Sequence, residues 1–492
     1  MLALGPVYLA AVLIYLIALA AIGIWRVRGA ASSSSDDFIV AGRSLPAYVL
    51  VFTLLSTWIG SGSLFAGAGL GYRVGLPALW QSAGAWFGIA VIFFLAPRVR
   101  RLAQYTVPDI LELRYGSTAR VLGAITIVLA YTAIAAYQFR GGGRLLNLIA
   151  GLDPATGALI TAAFCVLFTA AAGMRSVAFL DVINGLTMLG GVGIAVVYLL
   201  GRAGGAATAL ASVRPDQLTI FGAMSPVQAV ALFLPTMCLL LGEANMYQKF
   251  FSARDERAAR LAVAGWIAGT IVVESMIVGI GLLGSVEIPG LGIVESETIV
   301  VRIATGVLPS ILGAVLLAAC AAIIVSTANS MLLSPATNLV RDIYQRFLRP
   351  AAAPGEIVLA TRVAIAVLGA LGLVAGSFFP TVLSMALWAY TMYGAGITPA
   401  LIAALVWPRA TAQAGTVSIA AGMVVTLLWE LVGLARGTAT TPHYLLGLQT
   451  IYPALVASVG TLVFLSLSPD RWSVVRGPGA RTPAPGPPDP GI

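Results

Sequence analysis

Four of the 19 acidic residues, Asp181, Glu243, Glu274 and Glu430, lie inside long apolar stretches. An ionisable group at the centre of such a stretch costs roughly 2.5–3.5 kcal/mol on membrane-insertion scales, so it needs a partner or a task. Asp181, in SVAFLDVINGLTMLGG, and Glu243, in LLLGEANMYQKF beside Gly242 and Asn245, stand among other polar groups and read as functional. Glu274 and Glu430 have no polar neighbours in sequence, and a plain helix-to-helix hydrogen bond is the leading reading for both. A second feature is CAAIIVSTANSMLLSPATNLVRDIY, where Ser326, Thr327, Asn329 and Ser330 crowd an otherwise apolar run. On a helix, spacing of i, i+3 and i+4 puts Ser326, Asn329 and Ser330 on one face. Hydroxyls so placed can bond back to the preceding turn. A hard monovalent cation accounts better for the cluster, because it needs several oxygens and unwound backbone carbonyls can complete its shell. The third feature is LLSTWIGSGSLFAGAGLGY, residues 54–72, with five glycines and two serines after the tryptophan. Such a segment is either a helix interrupted to free carbonyls or a small-residue surface for close helix packing.

The elements that must hold these groups follow from composition. Of 492 residues, 59% are hydrophobic and only 10% are charged, against about a quarter charged in soluble domains. The charge is missing in blocks of ~20 residues, long enough to cross a bilayer core as helices. Barrel-type alternation is absent, so the fold class is all-α and integral to the membrane. About thirteen spans are expected, near 6–26, 47–71, 76–97, 120–148, 155–173, 177–201, 226–249, 261–285, 304–335, 358–378, 380–406, 413–434 and 450–468. The first has no basic leader and reads as a retained helix rather than a signal peptide. The tail GPGARTPAPGPPDPGI is too rich in Pro and Gly to pack and is expected to be disordered.

The net charge of +9 lies in short loops, which is how a membrane protein encodes orientation rather than how a nucleic-acid binder displays charge. With the N-terminus outside, all but seven of the 28 basic residues face inward, among them Lys249, counted with the loop that follows its span. The C-terminus is then cytoplasmic and the protein sits, multi-pass, in the plasma (inner) membrane. Cys165, Cys238 and Cys320 all fall in apolar spans and predict no disulfide framework. His443 is the single histidine, which excludes a histidine metal cluster. No nucleophile–base set or phosphate loop is present, and RGGGR at residues 140–144 lacks the strand-to-helix context of such a loop. An enzyme is not expected.

Together the motifs resemble the solute:sodium symporter family, in family order and over nearly the whole chain. DDFIVAGRSLP resembles the entry to the family's first core helix, and STWIGSGS its broken middle, especially in choline-transporter-like members. GMRSVAFLDVING, NMYQKFFSARDERAAR and VSTANSMLLSPATNLVRDIY are similar to later stretches. The resemblance implies two inverted five-helix repeats, residues 47–201 and 226–406, with broken first and sixth core helices. An extra N-terminal helix and cytoplasmic loop (1–46), an extracellular loop (202–225), two C-terminal helices (407–470) and the tail (471–492) complete the chain.

The resemblance also implies a sodium site made by the carbonyls of Ser56, Ile59 and Ile323 and the hydroxyls of Ser326 and Thr327. A second Na+ would use Asp181, Ser326, Asn329 and Ser330, with the Asn329 amide oxygen replacing a serine hydroxyl. The solute pocket is expected near Trp58, Gln81, Gln138, Glu243, Asn245, Tyr390 and Thr391. Trp58 replaces the aspartate of proline-transporting relatives, and Glu243 the asparagine of sugar-transporting ones. The expected function is sodium-coupled import of a small organic solute, which the sequence leaves open among a choline-like amine, an amino acid, a sugar and a carboxylate. A membrane-embedded sensor, or a proton-coupled transporter of the same fold, is the alternative. The partners expected are sodium, the solute and lipid, without nucleic acid; a homo-oligomer stays open.

Overall fold

The structure is a computed structural model that describes residues 5–29, 41–102, 104–437 and 442–467. The Pro/Gly-rich tail and the first residues of DDFIVAGRSLP lie outside these. Among the described residues the chain is helical throughout, with one isolated bridge between Leu45 and Ala253. Eleven helices are long and apolar enough to cross a membrane, and a bent pair makes a twelfth. The expected last span is an apolar helix of 17 residues, Ile451–Leu467.

In chain order the helices that matter are α1 (Gly5–Gly29), α2 (Ala47–Trp58) and α3 (Gly62–Val74). They are followed by α4 (Leu79–Leu102), α5 (Val107–Tyr115), α6 (Ser117–Ala150) and α7 (Pro154–Arg202). The second half opens with α8 (Pro226–Gly242), α9 (Ala244–Ser252) and α10 (Glu256–Glu287). Then come α11 (Ile299–Gly306), α12 (Ser310–Asn338), α13 (Pro354–Gly376) and α14 (Val382–Gly396). The last are α15 (Thr398–Val406), α16 (Ala412–Arg436) and α17 (Ile451–Leu467). At ~1.5 Å per residue α7 would measure about 73 Å, well over a ~30 Å bilayer core. It holds two candidate spans, Pro154–Ala171 and Val177–Arg202.

Burial sorts the helices into an inner and an outer set. Every side chain of α12 from Ala319 to Asn338 is buried, so this helix is surrounded by protein on all faces. On α13, by contrast, Leu359, Val363, Val367, Leu371 and Val374 form an exposed apolar stripe at helical spacing. A stripe of that length is stable only against lipid.

Two of the membrane segments are interrupted, each for a local reason. Between α2 and α3 the chain turns extended at Ile59 (φ −73, ψ 100) and bends by 57°. Gly60 permits it: a Cβ there would lie 2.7 Å from Gln138 Nε2 and 2.8 Å from Thr327 Cγ2. Between α8 and α9 a single residue, Glu243 (φ −61, ψ 113), breaks the helix. The Tyr393 hydroxyl bridges this gap, donating to Gly242 O (2.6 Å) and accepting from Ala244 N (2.8 Å).

Candidate functional site

The first interruption brings the cation-reading motif onto the freed backbone. Thr327 Oγ1, on α12, donates to Ser56 O at 3.2 Å and to Ile59 O at 3.0 Å. Ile323 lies one turn earlier on the same buried helix. Ser326 Oγ turns aside and donates to Asp181 Oδ1 at 2.5 Å, while Thr53 Oγ1 donates to Asp181 Oδ2 at 2.5 Å. The Ser56 hydroxyl reaches Asp181 O at 2.9 Å, tying α2 to α7. Of the five oxygens that the family resemblance implies, the Thr327 hydroxyl meets the carbonyls of Ser56 and Ile59, and the Ser326 hydroxyl is taken by Asp181. Backbone carbonyls and neutral hydroxyls suit a weakly charged, hard cation.

The second group of expected cation ligands is divided among partners. Asn329 Oδ1 accepts from Thr169 Oγ1 at 2.9 Å, and Ser330 Oγ stands 2.9 Å from Thr57 Oγ1. Into the same network comes Lys249, which the sequence had counted with the loop charges. It lies within the span Pro226–Ser252 and is fully buried. Its Nζ donates to Thr53 O (2.9 Å) and, by a short contact, to Thr57 Oγ1.

The expected solute residues fall into three places. Trp58, Gln81 and Tyr390 line one small cavity together with Ser63, Ser82, Thr236 and Glu274. The Trp58 and Tyr390 rings are 6.0 Å apart and tilted by 35°. Gln138, Glu243 and Asn245 lie buried at the two helix breaks. Gln138 Oε1 accepts from Ser61 N at 2.8 Å, and Asn245 N donates to the Tyr131 hydroxyl at 3.2 Å. Thr391 is elsewhere: it lines a wider cleft with Val128, Thr132, Trp388 and Leu427.

Several polar atoms at the breaks have no partner. Both carboxylate oxygens of Glu243 lack a hydrogen bond of good geometry, as do Asn245 Nδ2, Gln138 Nε2 and Ser61 Oγ. The Tyr131 hydroxyl faces the Glu243 carboxylate without closing such a bond. Buried polar groups are nearly always paired, and each exception calls for a cause such as a ligand.

Glu274 makes helix-to-helix hydrogen bonds, as its sequence suggested, and it also lines the small cavity. Its Oε1 accepts from Trp58 Nε1 at 2.9 Å and from Ser63 Oγ at 3.4 Å, and its Oε2 from Trp86 Nε1 at 2.9 Å. These donors come from α2, α3 and α4, which explains why no local pattern around residue 274 revealed them. Glu430 accepts from Tyr444 and Thr450, both in the segment between α16 and α17.

Ion pairs close the ends of the helix bundle. Arg120 binds Asp109, Glu112 and the buried Asp342, joining α5, α6 and the end of the α12 span. Elsewhere the buried Glu297 pairs with Arg144 and accepts from Val382 N and Leu383 N, both at 3.0 Å. That carboxylate sits on the first turn of α14, where a helix N-terminus favours negative charge.

The sequence profile of the Sodium:solute symporter family spans residues 38–422, and the chain belongs to that family. It is a membrane transport protein of the symporter kind. It is similar to the sodium/pantothenate symporter of Escherichia coli, with 29% identity over 473 residues, 92% of this chain and 94% of that one. The high-affinity proline transporter PutP of Bacillus subtilis is 25% identical over 452 residues, 89% and 93% of the two chains. In fold it is similar to a Na+-coupled sialic acid symporter solved in a substrate-bound, outward-open state. The TM-score is 0.79 at 16% identity, over 94% of this chain and 97% of that one.

Proposed function

We propose that the protein is a sodium-coupled secondary active symporter that imports a small organic solute bearing an ammonium group. Sodium binds between the carbonyls of Ser56, Ile59 and Ile323 and the hydroxyls of Ser326 and Thr327. The observation that carries the reading is the position of Thr327 Oγ1, within 3.2 Å of both freed carbonyls of the first interruption. Rotating that hydroxyl and turning Ser326 away from Asp181 would expose the oxygens to an ion. Sodium then joins α2 to α12 and orders the solute pocket across the break.

The solute class follows from the small cavity. Its wall carries one carboxyl group, Glu274, together with the aromatic rings of Trp58 and Tyr390, and no basic side chain. Two indole N–H groups hold the Glu274 carboxyl in place. A carboxylate flanked by aromatic faces suits a primary, secondary or quaternary amine, and a purely anionic solute would meet it without a counter-charge. A choline-like amine or an amino acid is favoured over a sugar or a simple carboxylate.

The cycle is alternating access. Residues 47–201 and 226–406 form the two repeats, and the interruption of the first membrane segment in each half supports that division. The N-terminus is outside and the tail cytoplasmic, in the plasma membrane. Sodium moves down its gradient, with a further ~2.3 kcal/mol per charge for each 100 mV of membrane potential. A thermal-stability screen of small amines, amino acids, sugars and carboxylates, with and without sodium, tests the reading. An amine that stabilises the purified protein only when sodium is present is the expected result. Stabilisation by carboxylates alone, regardless of sodium, would overturn it.

A further inference from the structure

Lys249 is the only lysine in the chain, and it lies fully buried in the membrane-spanning core. Such a group is costly unless its charge serves a purpose. Its surroundings show the purpose. The ammonium donates to Thr53 O and Thr57 Oγ1. The Thr53 hydroxyl in turn donates to Asp181, and Thr57 Oγ1 contacts Ser330 Oγ. The ammonium thus stands one hydroxyl, that of Thr57, from Ser330, and it shares Thr53 with Asp181, bonding the carbonyl while the hydroxyl goes to the carboxylate; Ser330 and Asp181 are two of the four residues expected to hold a second sodium. The third, Ser326, also donates to Asp181, and the fourth, Asn329, is held by Thr169.

We propose that Lys249 is a tethered cation that takes the place of a second sodium, so that the protein carries one sodium per solute. An ion entering at Asp181 would sit beside a like charge already solvated by the same threonines, and one carboxylate cannot neutralise both. The inference rests on the symporter reading above and adds the stoichiometry to it.

The test is equilibrium binding of radioactive sodium alone to the purified full-length protein, without solute. The expected result is one ion per chain with a Hill coefficient near 1 for the wild type and for Lys249→Arg, which keeps the charge. Lys249→Gln should bind two ions per chain, and Lys249→Gln combined with Asp181→Asn should return to one. Two ions on the wild type overturn the inference while leaving the symporter reading intact, and need no variant to fold. A folded Lys249→Gln that still binds one ion also overturns it. No bound sodium on the wild type overturns the symporter reading itself.

Discussion

The two helix interruptions differ in what they leave unsatisfied. At Ile59–Gly60 the backbone is open: the carbonyls of Ser56 and Ile59 share one hydroxyl, that of Thr327, and only the neutral Ser61 Oγ and Gln138 Nε2 are unpaired beside them. At Glu243 the backbone is closed, because the Tyr393 hydroxyl takes both Gly242 O and Ala244 N. There the side chains are open, with neither Glu243 oxygen nor Asn245 Nδ2 paired. Open carbonyls offer several weak, neutral ligands at one point, which suits a small ion. Open side chains offer directional groups of distinct charge, which suits a molecule with a shape. The same device, a broken helix in apolar surroundings, thus serves two kinds of ligand according to which part of the residue is left free.

That contrast can be broken most forcefully at the first interruption. Replacing Ser326 and Thr327 together by alanine removes both hydroxyl ligands. At ~1.5–3 kcal/mol for each bond to a charged group, sodium affinity should fall at least a hundredfold, read by sodium titration of the purified protein. Loss of solute affinity with normal sodium affinity would reverse the assignment of the two regions. Glu274→Gln should weaken binding of a cationic solute about 10- to 100-fold and leave sodium binding in the absence of solute unchanged. A variant that binds the amine as well as the wild type would remove Glu274 from the pocket.

Smaller effects sharpen the comparison. Gly60→Ala puts a methyl group 2.8 Å from Thr327 Cγ2, so Thr327 must shift off the carbonyls, and about a tenfold loss of sodium affinity is expected for ~1.4 kcal/mol. Tyr393→Phe frees Gly242 O and Ala244 N at the second interruption. It should destabilise the fold by about 1–3 kcal/mol, seen as a lower unfolding temperature with sodium affinity retained. Trp58→Phe keeps an aromatic face and loses the indole donor to Glu274, for about 1 kcal/mol of solute binding. A loss as large as that of Glu274→Gln would show that the indole N–H, not the ring, carries the recognition.

The two segments proposed to hold sodium stood out in the sequence because each is compact. Ser326 and Thr327 share one turn, and the glycines after Trp58 mark the break within a few positions. The solute side was legible in fragments only. Trp58, Gln81 and Tyr390 meet as expected, yet Thr391, one residue further on, points to another cleft. The sequence offered a helix-to-helix bond for Glu274 but not its place in the cavity, because Trp58, Ser63 and Trp86 lie about 190 to 215 positions from it in the chain and meet it only after packing. Lys249 was assigned to a loop because charge bookkeeping places a basic residue by its distance along the chain, not by its burial. The break after α8 brings the residue inward, where Thr53 and Thr57 receive it.

The most direct test of sodium coupling is uptake of a radiolabelled amine, chosen by the stability screen, into proteoliposomes under an imposed gradient. An inward sodium gradient should drive accumulation above the external concentration, and an inward proton gradient without sodium should not. Equal accumulation under the two gradients, unchanged by Thr327→Ala, would contradict the account.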